Sequence, residues 1–558
     1  MYKKLLPFIF FIVFFQITKA QNEFVSIWKP SLPSFSSVGI PNNSNENQIW
    51  LPGTGTDYNI YWEEIGYPSH SATISNVSSD YQILIDFGTP LNPTPSDATY
   101  RVKISNGSGS FNQIRFMNSQ ILVGNQPADI VGDIYKIINI EQWGNIKWAS
   151  MQQAFYQCEN MDIIATDLPN LSEVTNMSSM FYNCNTLVGN PTINNWDISN
   201  VTSLIGTFNA CFLFNQPIGN WNTSKVTSMS TMFIRAQKFN QPIGNWNTSK
   251  VETTSSMFLY ATDFNQPIGS WDMSSNRQME LMFVNASKFN QPIGNWNTSN
   301  VVDMHAMFQF ATDFNQNLST WDTSNVKLMR DMFLMAEHFN NTISTWNVSN
   351  VKDMSNMFNG AKKFNQNISE WDVSAVKNMS GMFSNAEAFN QSLGNWKLNS
   401  LQTATSFIEN TAISCQNYNS TLYEWSQNQS IASNINISPA FPLVYSTLQA
   451  ATARDFLINN KGWTITGDKY SEECAPQLGT SDLKIDNKVN IYPNPATSII
   501  YIKNTNADRY IILDLAGRII LQGNLVNGQV NVQTITPGNY ILQLHLKNNT
   551  QNFKFIKK

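Results

Sequence analysis

Apolar and polar positions follow two rhythms along this chain. Between about residues 22 and 140 the rhythm is two, in runs such as Asn59-Ile60-Tyr61-Trp62, Gln82-Ile83-Leu84-Ile85-Asp86-Phe87 and Tyr100-Arg101-Val102-Lys103-Ile104. Gly, Pro, Asn and Ser separate these runs, a pattern that predicts the short strands of a small β-sandwich. From about 143 to 412 the rhythm becomes a strict unit. Nine tryptophans, from Trp196 to Trp396, stand 25 residues apart without insertion. A fixed period of 20–50 residues marks a solenoid.

The copies can be compared with one another. Phe-Asn recurs from Phe214-Asn215 to Phe389-Asn390, and a Met-Phe-x-x-Ala box recurs from Met232-Phe233-Ala236 to Met382-Phe383-Ala386. Met, Phe and Ala at i, i+1 and i+4 fit the buried side of a short helix. A Val-x-x-Met box, as in Val226 and Met229 or Val351 and Met354, fits a short strand. Each copy is therefore expected to give one strand, one or two helical turns and a loop carrying Trp. The fold class predicted is an α/β repeat solenoid with a parallel sheet along one face. A single turn cannot bury its own apolar side, so stacking supplies the missing surface, and the open ends need caps.

Residues 21–142 are read as the β-rich N-terminal domain and cap, 143–412 as the repeats and 413–475 as a C-terminal cap. Residues 476–488 are polar and read as a linker. Residues 489–558 hold four clear strand patterns, including Ile499–Ile502 and Asn539–Leu544, and predict an all-β sandwich of about seven strands. The first 20 residues have Lys3-Lys4, an apolar run from Leu5 to Phe15 and Ala20 before the expected cut. That is the form of a secretory signal peptide, and the run is too short for a transmembrane segment. The mature chain is expected to be secreted or held at the outer-membrane surface.

Charge and chemistry narrow the function. Charged residues are only 13% and the formal net charge is −5. No basic run appears in the linear sequence, so nucleic acid is not an expected partner. The chain has four histidines and no HExxH, Gly-x-Ser-x-Gly or phosphate loop. We expect no catalytic residue, metal or cofactor. Cys158, Cys184 and Cys211 stand where later copies have Ala and should be small buried residues. Cys415 and Cys474 flank one segment and are a candidate disulfide in an exported chain.

Some repeated residues admit two readings. The tryptophans either stack in the core or form an exposed platform for glycan; Ile218, Ile243, Ile268 and Ile293, three residues before successive tryptophans, favour the core. The Asn of each Phe-Asn pair should satisfy loop backbone groups. The Asp or Asn after each Trp, with Ser two residues on, should make a turn rather than bind calcium. Recognition is expected where copies differ, between Val and Met. Those positions are Thr227-Ser228, Glu252-Thr253, Val302-Asp303, Lys327-Leu328, Lys352-Asp353 and Lys377-Asn378, and strand alternation should turn at least one of each pair outward.

Two resemblances follow. The motif Phe-Asn-Gln-x-Ile-x-x-Trp-Asn/Asp-x-Ser-x-Val-x-x-Met-x-x-Met-Phe-x-x-Ala resembles the BspA-like, Mycoplasma-lipoprotein-type leucine-rich repeats of bacterial surface proteins. Departures from it include Asn276 for Val and Thr254 for Met. The C-terminus resembles the type A sorting domain of the type IX secretion system of Bacteroidetes. Its motifs are Tyr492-Pro493-Asn494-Pro495, Gly517-Arg518, Gly538 with Tyr540, and the final Lys557-Lys558. Trp28 and Tyr58–Trp62 are similar to a PKD-like segment, with Glu63-Glu64-Ile65-Gly66 in place of the usual Asp-Gly-rich turn. These resemblances imply a non-enzymatic exported protein, handled by the type IX machinery, whose solenoid binds an unknown extracellular protein or glycan.

Overall fold

A computed structural model describes residues 22–34, 44–123, 126–472, 489–503, 507–546 and 549–558. The expected signal segment, the 476–488 linker and Cys474 lie outside the described residues. The chain divides into two compact units, residues 1–476 and 477–558.

The first unit opens with β1 (Phe24–Trp28), β2 (Gln48–Pro52), β3 (Thr54–Glu64), β4 (Tyr67–Ser79), β5 (Gln82–Asp86), β6 (Tyr100–Ser105), β7 (Ser110–Gln113), β8 (Met117–Val123), β9 (Gln126–Ile130), β10 (Ile137–Gln142) and β11 (Asp162–Ile163). Seven of these make one sheet in the order β11-β10-β1-β6-β3-β4, with β7 beside β3. β10 runs antiparallel to β1 and parallel to β11, so the sheet continues into the first repeat. The core is continuous as well. Trp28 stacks on Phe116, and Phe116 meets Phe155 of the first Phe-x-x-Cys box at 6.3 Å. The N-terminal strands thus cover the first turn of the repeats and share its core.

The repeats differ from the α/β expectation. They contain no α-helix and, past β11 in the first copy, no strand longer than one residue; the fold is tandem repeats rich in β-type pairing with few helices. The Val-x-x-Met segment gives a single parallel bridge per copy, running Ser203↔Ser228↔Thr253↔Gln278↔Asp303↔Leu328↔Asp353↔Asn378↔Thr403. The Met-Phe-x-x-Ala box is a series of tight turns. Its backbone is left-handed at two positions four residues apart, as at Thr231 (φ 59°) and Arg235 (φ 57°) or Ser256 and Tyr260. A left-handed residue every fourth position breaks the i→i−4 ladder a helix requires.

The amide groups of the box consequently alternate. Those of Met229, Thr231, Phe233 and Arg235 donate to Thr253, Ser255, Met257 and Leu259 in the next copy at 2.7–3.2 Å. Those of Met232, Ile234 and Ala236 close turns back to residues three earlier. Each copy is therefore bonded to the next through its backbone. Aromatic rings reinforce the stack. Box phenylalanines from Phe233 to Phe383 lie 5.5–5.7 Å apart between copies, nearly parallel, and each touches the Phe of its own Phe-Asn pair at 3.9–4.1 Å.

Beyond the last copy come α1 (Cys415–Gln427), β12 (Val444–Tyr445), α2 (Leu448–Lys461) and β13 (Lys469–Tyr470). Ser414 and Thr447 cap the two helices, and Gly462 closes α2 in the left-handed conformation, the usual C-terminal stop. Cys415 is disulfide-bonded.

The second unit has two antiparallel sheets. β14 (Asn490–Tyr492), β15 (Ile499–Lys503) and β18 (Gln529–Asn531) form one. β17 (Ile519–Asn524), β16 (Arg509–Asp514), β19 (Gly538–Leu546) and β20 (Asn549–Lys557) form the other. Ile500, Ile512, Val530, Leu542, Leu544 and Phe555 fill the core between them.

Candidate functional site

The inward residues leave little to bind with. The nine ladder tryptophans are 1–3% exposed, so their faces are not open to a sugar, and the exposed-Trp platform is corrected to core. Each indole from Trp221 to Trp396 donates from Nε1 to the Ile or Leu carbonyl of the preceding copy at 2.8–3.1 Å. The Ile or Leu three residues before each Trp thus supplies packing within its own turn and an acceptor for the next.

The Asn residues form a second ladder. Asn240 Oδ1 accepts the backbone N–H of Asn265 at 3.0 Å and the side-chain amide of Gln266 at 2.9 Å, and the arrangement repeats along the stack. The Asp or Asn after each Trp accepts the N–H of the Ser two residues on, as Asp272 does from Ser274 at 2.9 Å. The Ser274 hydrogen bonds hold the Asp272 carboxyl below the ordinary range. These acids make turns. Cys184 and Cys211 are buried thiols directed at the carbonyls of Phe155 and Phe181, each at 3.0 Å, and burial raises their pKa values.

Asn276 and Thr254, two of the departures from the repeat motif, are both fully buried. They lie in adjacent copies, and Asn276 Nδ2 donates to Thr254 Oγ1 at 3.2 Å. What look like two separate defects in the sequence are one compensated pair.

The N-terminal strands hold two buried polar clusters. Glu64 accepts from the N–H groups of Leu91 and Asn92, each at 2.8 Å, and contacts His70 Nδ1 at 2.5 Å. Burial works against its charge, and these hydrogen bonds outweigh that and lower its pKa. Lys136 is buried and donates to the carbonyls of Asn45 and Gln48 and the hydroxyl of Ser44. Asp133 accepts from Ser44 and from Trp50 N. Both clusters anchor loops.

The positions that vary from copy to copy make the candidate site. Thr227, Glu252, Val302, Lys327, Lys352 and Lys377 are exposed, with Arg277 between Glu252 and Val302. They form one column. The N–H of each residue donates to the carbonyl of the residue 25 positions earlier, as in Lys352→Lys327 at 3.0 Å and Lys377→Lys352 at 2.9 Å. Their partners in sequence, Ser228, Thr253, Asp303, Leu328, Asp353 and Asn378, are half-buried at the bridges. Asp303 Oδ1 accepts from His305 N and contacts its Nδ1, and Asp353 Oδ1 accepts from Ser355 N and Oγ.

A second exposed column lies just before the Phe-Asn pairs: Lys238, Asp263, Lys288, Asp313, His338 and Lys363. Signs alternate from Lys238 to Asp313, and the half-buried Asp263 is held between Lys288 at 2.6 Å and Lys238 at 3.3 Å. This column was missed in the sequence reading. Its signal, alternation of charge at one repeat position, was present there.

A third set follows the box Phe, where Arg235, Tyr260 and Phe310 are exposed in the left-handed conformation. Variation at that position, from Arg235 and Tyr260 to Asn285, Phe310 and Gly360, was the available sign.

In the second unit the motif residues hold the fold. Asn494 Oδ1 accepts Ile556 N at 2.8 Å, and its Nδ2 donates to Lys554 O at 3.1 Å. Ala496 N and Lys558 N complete the join at 2.7 and 2.9 Å, tying the segment after Tyr492-Pro493-Asn494-Pro495 to β20. Asp514 accepts from Arg518 N and Nε across a turn in which Gly517 has φ 79°. Tyr540 stacks on Phe555 and donates to Thr536 O at 2.9 Å, next to Gly538. Lys557 Nζ donates to the carbonyl of Lys558.

Among the described residues no helix is long and apolar enough to cross a membrane, and no group of His, Cys, Asp and Glu has the arrangement to hold a metal. Comparison with known families gives two matches. Residues 149–266, 241–341 and 315–425 match, in tandem, the family described as Mycoplasma protein of unknown function, DUF285. Residues 490–558 match the secretion system C-terminal sorting domain. No curated protein matches the chain. Both families are of non-catalytic type, and the sorting tail indicates secretion or export to the cell surface. The chain is a BspA-like repeat protein of the DUF285 family that carries a C-terminal type IX sorting domain.

Proposed function

We propose that this is a non-enzymatic adhesion protein, delivered by the type IX machinery, whose leucine-rich-repeat-like solenoid binds an extracellular protein or glycan. In this reading residues 1–20 direct export, and residues 489–558 engage the secretion machinery through the Tyr492–Pro495, Gly517-Arg518, Gly538/Tyr540 and Lys557-Lys558 motifs. A Cys415–Cys474 disulfide staples the C-terminal cap.

The observation that carries the binding role is the column from Thr227 to Lys377. It is exposed and in register, and it varies while the residues beneath it repeat. A scaffold that fixes its backbone and changes only its outward side chains is suited to recognition.

The test replaces Thr227, Glu252, Val302, Lys327, Lys352 and Lys377 together by Ala. The variant should keep the far-UV spectrum and the buried-indole fluorescence of the parent. It should lose capture by a panel of extracellular-matrix proteins and polysaccharides. Unchanged capture would remove this face from the proposal.

A further inference from the structure

The seven-stranded sheet of the first unit ends on one side in β11, within the first repeat, and on the other in β4 (Tyr67–Ser79). Among the described residues β4 pairs with β3 alone, so its outer edge is open. Edge strands are usually blunted by charge, by Pro or by a bulge. β4 has Pro68 near its start, and its register shifts on the far sides of Ser71 and Ile74. The span between is regular. No residue from Tyr67 to Ser79 is Lys, Arg, Asp or Glu.

The ladder fixes which groups face outward. Ile65 N donates to Thr99 O at 2.9 Å, in the register that sets Glu64 opposite Tyr100. Bonded and non-bonded pairs alternate along an antiparallel ladder. The odd-numbered residues of β3 therefore bond to β6, and Ile60 and Trp62 bond to their β4 partners Ile74 and Ala72. Ser71 and Thr73 turn their N–H and C=O to the open edge, and Ser75 turns its N–H there. Among the described residues none of these groups bonds outside the β3–β4 ladder. Ala72, Thr73 and Ser75 are exposed.

Independently of what the repeats bind, we propose that β4 pairs with β4 of a second copy, antiparallel across a twofold axis at Thr73. The strand itself selects this occupant. A twofold axis sets a charged strand against its own charge, and like charges directly opposite repel. An uncharged edge is thus a requirement of self-pairing that a foreign strand does not impose. Centred on Thr73, the pairing sets Thr73 opposite Thr73 and Ser71 opposite Ser75, hydroxyl against hydroxyl, a favourable cross-strand combination. On the other face it sets Ala72 opposite Ile74, apolar against apolar, in the closer non-bonded pairs. A centre on Ala72 or Ile74 would instead oppose groups already bonded to β3. One strand pair buries less than the ~1,200 Å² of a stable complex, so the dimer should be weak and reversible.

The test uses the mature full-length chain. Sedimentation from about 1 µM to 1 mM should show a monomer–dimer equilibrium. The triple variant Ser71→Lys, Thr73→Lys, Ser75→Lys puts like charges at every pair and should weaken self-association about tenfold or more. The corresponding triple change to Glu should do the same, and an equimolar mixture of the two should associate at least as well as the parent. Thr342→Lys, at an exposed repeat position, should change self-association less than about twofold. Far-UV spectra should match the parent throughout. A second readout needs no charge. Across the axis two Thr73 Cα atoms would lie about 5.5 Å apart, within disulfide reach, so Thr73→Cys should cross-link under mild oxidation. Ser75→Cys should not, because its two copies would lie about 13 Å apart along the strands. A chain that stays monomeric at about 1 mM, a dimer indifferent to both triple variants, a mixture that associates no better than its components, or equal cross-linking at both positions would overturn the proposal.

Discussion

The middle of the stack and its two ends solve the same hydrogen-bonding problem by different means. In the middle the donors that leave their own copy find acceptors one copy away: Trp296 Nε1 on Ile268 O, Asn315 N on Asn290 Oδ1, Phe283 N on Met307 O. At the ends that copy is missing.

Because the turn segments donate forward, the last copy presents unpaired N–H groups. The C-terminal cap supplies acceptors for them, Ser438 O to Ser406 N and Phe441 O to Asn410 N. Trp425, from α1, takes the next indole's place on Leu393 O at 2.9 Å, and Ser414 and Asn417 take the next places on Asn390. At the first copy Asp167 accepts from Trp143 and Gly144, and Phe116 N donates to Gln153 O. There the indole nitrogens of Trp143, Trp148 and Trp196 are buried without a partner. Repetition satisfies the interior at no cost in sequence complexity, whereas each end needs residues of its own.

The strongest way to break this comparison is to remove one tryptophan from each region. Trp296→Ala and Trp425→Ala should each cost about 3–5 kcal/mol, as core Trp or Phe deletions do. Their reach should differ. In a stack whose stability is a sum of neighbour terms, the gap at Trp296 should divide the array, and hydrogen exchange should accelerate on both sides of residue 296. The gap at Trp425 should fray only the C-terminal end. Equal acceleration throughout by both variants would show that the stack unfolds as one unit and that its ends are not separate.

A smaller effect sharpens the same contrast at the Asn ladder. Asn315→Ala removes the acceptor of Asn340 N and of Asn341 Nδ2 at an exposed site. Asn390→Ala removes the acceptor of Ser414 N and Asn417 Nδ2 at a half-buried one. An orphaned buried donor costs about 1–3 kcal/mol, so Asn390→Ala should lie within that range and Asn315→Ala at or below its lower bound. Urea midpoints measure both, and a larger loss for Asn315→Ala would reverse the assignment of the weaker join.

Within the middle, Thr254 and Asn276 interrupt the repetition and should behave as a pair. Thr254→Met or Asn276→Val alone leaves a buried polar group unmatched, at about 1–3 kcal/mol, whereas the double change returns both sites to the residues of other copies and should be nearly neutral. A double-mutant cycle would then give a coupling equal to the sum of the two single losses, about 2–6 kcal/mol. Additive losses would mean that the 3.2 Å contact contributes nothing.

The parts of this fold legible in the sequence are those that repeat. The buried tryptophans, the Asn ladder and the small Cys158, Cys184 and Cys211 follow from comparing copies, because packing against an identical neighbour selects identical residues. The backbone of the Met-Phe-x-x-Ala box does not follow. Its left-handed positions carry Thr231, Arg235, Tyr260, Leu281 and Phe310 in some copies and glycine only at Gly206, Gly360 and Gly381, so no single residue type marks the turns and the spacing resembles a helix. The link of Thr254 to Asn276 was hidden by their distance of 22 residues, which crosses from one copy to the next. The sharing of one core between the N-terminal strands and the first repeat was hidden for a related reason, since β10 joins β1 and β11 from opposite sides. Of the candidate site, the variable positions were legible, but which member of each pair faces outward was not.

The smallest expected effect concerns charge. Asp263 joins Lys288 and Lys238 across three successive copies, and its carboxyl is held below the ordinary range chiefly by the Lys288 hydrogen bond, against the opposing effect of burial. A carboxyl lowered in the folded state adds stability above its unfolded pKa of about 3.9, and that contribution is lost as pH falls through the folded value. The lysines are 61–62% exposed, so solvent screens the pair and the contribution should be at most about 1 kcal/mol. Asp263→Asn should therefore be slightly less stable than the parent at pH 6. The difference should vanish by about pH 2 and also in 1 M salt, where the screening length is about 3 Å. A deficit that persists under both conditions would assign Asp263 a packing role.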